Sequence, residues 1–166
     1  MQDEYLELQK RIIGWLFYGR SPKDFYKARA CLRPEFFQGY YRAAWKSMVR
    51  YNSETTGLLT LQFLRDYLRA KKSKEEKIFE LEKVLEECKD SIEGFDSGAF
   101  VWSLGRLKEV YKQIKFVEIQ DESYKVLDEG GFDKARDYML TALSGLEGGI
   151  LETTPEGFIV DEAKSF

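Results

Sequence analysis

Apolar residues recur along this chain every three or four positions, the period of a helix with one buried face. Tyr5, Leu8, Ile12, Trp15 and Leu16 form the first such stripe and predict a helix from about Asp3 to Tyr18. Asp3, Glu4 and Glu7 suit its positive end, and Gly19 can stop it. Ser21-Pro22-Lys23-Asp24 reads as a second helix start. Serine can take a free N–H, and proline at the first helical position gives up no bond it needed. Phe25, Ala28 and Leu32 then face inward, and Pro34 marks a break. Glu35-Phe36-Phe37 reads as a short turn. A third helix from about Gly39 to Tyr51 carries Tyr41, Trp45, Met48 and Val49 on one face. Thr60 caps a fourth with Leu61, Leu64 and Leu68. In the charged run Lys71 to Lys77, Ser73-Lys74-Glu75-Glu76 has capping-box spacing, ahead of a fifth helix burying Ile78, Leu81, Leu85 and Cys88.

Gly94 to Gly98 is the clearest internal boundary. Beyond it one long helix is predicted from about Ala99 to Leu127, with no proline and with Gly105 as its only weak point. Phe100, Leu104, Leu107, Tyr111 and Ile114 form one stripe on it; Val110, Val117 and Tyr124 form another at seven-residue spacing. Asp128-Glu129-Gly130-Gly131 ends it. Phe132, Ala135, Met139, Ala142, Leu143 and Leu146 predict a shorter returning helix, so the two form an antiparallel hairpin. The regular pattern stops after Gly148-Gly149, leaving a tether with one apolar hook, Phe158-Ile159. The expected fold is therefore all-α: a compact helical head over 1–96, a long helical hairpin over 97–147 and a linker over 148–166. The long helix would measure about 43 Å, twice what its partner covers. Two apolar stripes need two partners, one being the returning helix and the other the rest of the chain or another subunit. Trp102, Leu104, Leu107, Tyr111, Ile114, Met139 and Leu143 are the candidate subunit interface.

Composition narrows the chemistry. The 166 residues carry no histidine, which excludes Ser-His-Asp and Cys-His catalysis and histidine metal ligands. Cys31 and Cys88 are far apart and read as reduced residues of a cytoplasmic protein. Neither a G-x-x-x-x-G-K-[ST] loop nor a G-x-G-x-x-G motif occurs, so no nucleotide site, cofactor or catalytic residue is expected in this chain. Glu86 and Asp90, one turn apart, are the nearest thing to an acid–base pair and read as solvent-facing. No apolar run reaches the roughly 18 residues that span a bilayer. The net charge of −3 is unevenly spread: residues 1–52 sum to +5 and residues 148–166 to −3. A basic first third suits an acidic partner or nucleic acid, or simply a solvated helical surface.

The order of these elements resembles the N-terminal domain of DnaB-type replicative helicases. Leu8-Gln9-Lys10-Arg11-Ile12-Ile13-Gly14-Trp15-Leu16 looks like that domain's opening helix. Leu32-Arg33-Pro34-Glu35-Phe36-Phe37 is similar to its L-x-P-E-D-F-F turn, followed by Arg42-Ala43-Ala44-Trp45. Leu107-Lys108-Glu109-Val110-Tyr111 and Gly131-Phe132-Asp133-Lys134-Ala135 look like the arms of its hairpin, and Glu156 to Ala163 like the linker of phage-type members. The Lys71–Lys77 run departs from the family's Gly-Gly turn. The resemblance implies a non-catalytic collar of a hexameric ring, often a trimer of dimers, that pairs through its hairpins and offers a surface to primase or a loader. ATP, Mg²⁺ and single-stranded DNA would belong to a motor domain beyond the linker, with Phe158 and Ile159 docking on a neighbour. The alternatives are a stand-alone helical adaptor or loader, and the helicase-binding domain of a primase.

Overall fold

The computed structural model describes residues 1–19 and 21–152, and every regular element among them is helical. Helix α1 (Gln2–Gly14) buries Tyr5, Leu8, Ile12 and Ile13 and runs on as a short π-helical stretch, Trp15–Gly19. Helix α2 (Pro22–Cys31) starts as its sequence dictates: the Ser21 hydroxyl accepts the Asp24 N–H at 3.2 Å, with Pro22 in the first turn. A 3₁₀ turn (Pro34–Phe36) leads to α3 (Gly39–Thr55), which outruns its expected end by four residues and closes on Thr56 in the left-handed region, φ 60°. Helix α4 (Leu61–Ala70) is capped by Thr60, whose hydroxyl accepts from Phe63 N.

The capping box expected at Ser73 does not form. Lys72 adopts φ 64° and donates its N–H to Arg69 O, and Ser73 donates to Leu68 O at 3.0 Å. These two bonds close the end of α4 in the manner of a Schellman turn. Ser73 is thus part of the stop of one helix and cannot start the next. Helix α5 (Glu75–Lys89) begins from Lys74 with no side-chain cap and buries Ile78, Leu81, Leu85 and Cys88.

After a second 3₁₀ turn (Asp90–Ile92), α6 spans Ser97–Gly130, 34 residues without a break. Its cap is Asp96, which accepts from Ala99 N at 2.7 Å. Its apolar positions spread round the helix because its two halves bury different faces. Phe100, Leu104, Leu107, Val110 and Ile114 sit in one core with α1, whereas further along it is Ile119 and Ser123 that are buried. At 3.6 residues per turn, Leu107 and Ile119 lie about 120° apart around the axis. The Gly94–Gly98 boundary therefore separates elements but not cores, since half of α6 belongs to the head. Gly131, with φ 88° and ψ 178°, reverses the chain into α7 (Phe132–Glu152). That backbone region is essentially confined to glycine. Helix α7 passes through Gly148-Gly149 instead of ending there, so the first residues assigned to the linker are helical. Glycine weakens a helix by only about 1 kcal/mol, which does not impose a stop.

Buried polar side chains tie the head together, and among the described residues none lacks a hydrogen-bond partner. Gln9 Oε1 accepts the Gln38 N–H at 2.7 Å at the entrance to α3. Asn52 donates to Gly57 O and to Tyr26 Oη, holding the exit of α3. Asp24 Oδ2 accepts both Trp15 Nε1–H and the Ser97 hydroxyl at 2.8 Å, joining the end of α1, the start of α2 and the start of α6.

Candidate assembly surface

Helix α7 returns along α6 in the opposite direction, with Lys112 Nζ 3.4 Å from Glu147 Oε2 near one end of the pairing and Gly131 at the other. The seam is thin. Ile119 and Ser123 of α6 are buried, but Ala135 alone among the α7 residues with described side chains is. A helix that buries so little apolar surface against one neighbour leaves most of its apolar side chains in contact with water. Tyr124 (66% exposed), Phe132 (67%) and Leu140 (62%) stand in solvent, and Phe116, Val117 and Leu127 are exposed as well. Phe116, Val117, Tyr124 and Leu127 fall within about 100° of arc on α6. On the same side, Phe116 and Val117 meet Leu143 and Leu146 of α7 and Met1 in a groove of about 600 Å³. Lys112, Glu109 and Glu147 rim it.

Of the seven interface residues expected from sequence, Leu143 lines this groove and the other six do not. Leu104, Leu107 and Ile114 are corrections: they lie in the chain's own core, Leu107 with no exposure at all. The stripe they form is covered by α1, where Arg106 makes a two-pronged ion pair with Glu4 at 2.6 and 2.8 Å. That guanidinium also holds the Glu4 carboxyl below its ordinary pKa, mainly by hydrogen bonding. Tyr111 is half-buried, its ring centroid 4.9 Å from that of Phe36, so it too leans on the head. Met139 and Leu143 are half-buried on α7. Trp102 is 62% exposed but sits about 21 Å along α6 from Phe116. Phe158 and Ile159 lie outside the described residues.

Phe116, Leu127 and Leu140 were missed as candidates. For Phe116 and Leu127 the signal was present in the spacing of 116, 120, 124 and 127 at three- and four-residue steps, but Gln120 interrupts it with a polar side chain. Glu86 and Asp90 are exposed, and no group of three His, Cys, Asp or Glu side chains among the described residues is placed to hold a metal ion. Among the same residues no helix is long and apolar enough to cross a membrane. Cys88 is fully buried, and burial pushes its thiol up to about 12; Cys31 is half-buried, and both are free.

No family model matches this chain, and neither a curated protein nor a solved structure matches it.

Proposed function

We propose that this chain is a non-catalytic assembly module that pairs through its hairpin with a second copy. Its place would be the N-terminal collar of a DnaB-type hexameric DNA helicase, where it presents a surface to primase or a loader. The observation that carries the first half of this reading is the unpartnered apolar side of the hairpin, centred on Val117, Tyr124 and Phe132. A second copy offers the same apolar stripe, and a two-fold pairing covers both stripes at once. The second half is supported by the order of the quoted segments, from the opening helix through the Leu32–Phe37 turn to the hairpin arms. ATP hydrolysis and travel along single-stranded DNA are assigned to a motor domain beyond the linker.

Light scattering tests the pairing. At about 100 µM, a concentration at which a weak interface of K_d near 10 µM is mostly filled, the chain is expected to be a dimer or larger. Val117→Glu with Tyr124→Glu places two charges in the stripe at exposed positions and is expected to give a monomer of unchanged helicity. A monomeric parent chain removes the pairing from the account. The reading frame after Phe166 tests the helicase assignment: it should continue into a strand ending in G-x-x-x-x-G-K-[ST]. A stop codon there makes a free-standing adaptor or loader the leading account.

A further inference from the structure

Two adjoining hollows on the head, of about 570 and 640 Å³, share Ser47, Leu68, Lys71 and Ser73 and so form one continuous groove across α3, α4 and the start of α5. Its charge is one-sided. Arg29, Lys46 and Arg50 line one half, Lys72, Lys74 and Lys77 line the other, and Lys71 stands between them. No aspartate or glutamate lines either half, in a protein whose net charge is −3. Glu54 takes Lys71 at 2.8 Å and Arg50 at 3.4 Å, and Arg29 bonds to the neutral Asn52 and Ser53. Lys46, Lys72, Lys74 and Lys77 have no ion-pair partner among the described residues. The walls between these cations are apolar: Val49 and Leu68 in one half, Ala43, Ile78 and Leu81 in the other. Such a groove fits a short extended peptide with apolar side chains between carboxylates. A bare phosphate backbone would leave the apolar walls uncovered.

The chain carries a segment of that composition. Glu156-Gly157-Phe158-Ile159-Val160-Asp161-Glu162 places three apolar residues between flanking carboxylates, within a region that sums to −3. We propose that this segment is the ligand of the basic groove and docks there within its own chain. Phe158, Ile159 and Val160 meet the apolar walls, and Glu156, Asp161 and Glu162 meet the unpaired lysines. The proposal is independent of hairpin pairing.

Reach permits it. Helix α1 runs opposite to α6, since Glu4 pairs with Arg106 and the Trp15 ring lies 6.4 Å from that of Phe100. Helix α7 also runs opposite to α6, so it points the same way as α1, and its Leu146 and Glu147 come to Met1. Gln9, about 12 Å further along α1, bonds to Gln38, and Gly39 forms the rim of the groove. An extended chain covers about 20 Å between Glu152 and Phe158, enough for that distance and most of a helix width.

The test uses the full chain with p-benzoylphenylalanine in place of Phe158, irradiated in an equal mixture of ¹⁵N-labelled and unlabelled protein. Cross-links are expected to join like-labelled residues only, to fall on α3, α4 or the first turns of α5, and to drop about tenfold in 1 M salt, which screens exposed charge. Lys74→Glu with Lys77→Glu, both exposed, should cause the same loss with helicity retained. Cross-links that fall elsewhere, that join unlike labels, or that survive both treatments overturn the proposal. A (dT)₁₅ probe provides a second reading. Its affinity should rise about tenfold when Glu156→Gln, Asp161→Asn and Glu162→Gln free the groove. Unchanged tight binding would make this a nucleic-acid surface and overturn the docking.

Discussion

Three glycines in this chain carry opposite consequences. A Cβ on Gly14 would lie 2.6 Å from the backbone O of Cys88, where α1 crosses the end of α5. That neighbour is main chain and cannot swing aside. Gly14→Ala gains about 1 kcal/mol of helix propensity and loses about 1–3 kcal/mol to forced separation of the helices. A net loss of about 1 kcal/mol in urea unfolding is expected. At Gly105 a Cβ meets nothing within 4 Å. Gly105→Ala should therefore raise stability by about 0.5–1 kcal/mol, and the two variants measured side by side must differ in sign. Gly131 is set by its backbone, because φ 88° with ψ 178° suits no side-chain-bearing residue. Sequence shows which glycines end helices only where a following helix start confirms it. Gly130-Gly131 before Phe132 was legible for that reason, whereas Gly148-Gly149 resembled a stop and is crossed by α7.

At the scale of elements, Asp24 holds more of the head than its single charge suggests. It is 2% exposed and joins α2 to the π-helical end of α1 and to the first turn of α6. Asp24→Ala strands the partly buried Trp15 indole N–H, at about 1–3 kcal/mol for a buried unsatisfied group, while the exposed Ser97 hydroxyl can turn to water. A loss of about 1–3 kcal/mol in urea unfolding is expected. Asp24→Asn, which keeps one acceptor oxygen, should lose less than half of that. Equal losses would show that the negative charge carries the contribution and that shape with one retained acceptor does not. Starts such as Ser21-Pro22 and Thr60 could be read from the chain because caps are local bonds. The failure at Ser73 was not readable, because the end of α4 competes for the same backbone. The burial of Leu104, Leu107 and Ile114 in the chain's own core was not readable for a related reason. Periodicity gives a buried face, and only tertiary packing decides whether α1, α7 or another chain covers it.

The whole molecule carries an alkaline limit. Burial, foremost, pushes the phenols of Tyr5, Tyr18 and Tyr41 up to about 12, and Tyr5 also donates to Phe36 O at 2.6 Å. In the unfolded chain these groups titrate near 10. Raised pKa values of this kind stabilise the fold fully below pH ~10, and that contribution is lost as pH rises through about 12. The midpoint of thermal unfolding should accordingly hold steady to about pH 9.5 and fall steeply beyond it, with tyrosinate absorbance appearing together with loss of helicity. Tyr5→Phe should soften that fall. A midpoint flat to pH 12 would mean that the buried phenols ionise without opening the head.

The 34-residue span of α6 has a mechanical consequence. With no proline and one half anchored in the head, it is a continuous beam of about 51 Å cantilevered from the core. A tilt imposed at the Phe132 tip is carried toward Phe100 along one continuous helix, in which Gly105 is the weakest position. Whatever grips the outer hairpin therefore also bears on the head, as a load on a spoke is felt at its hub.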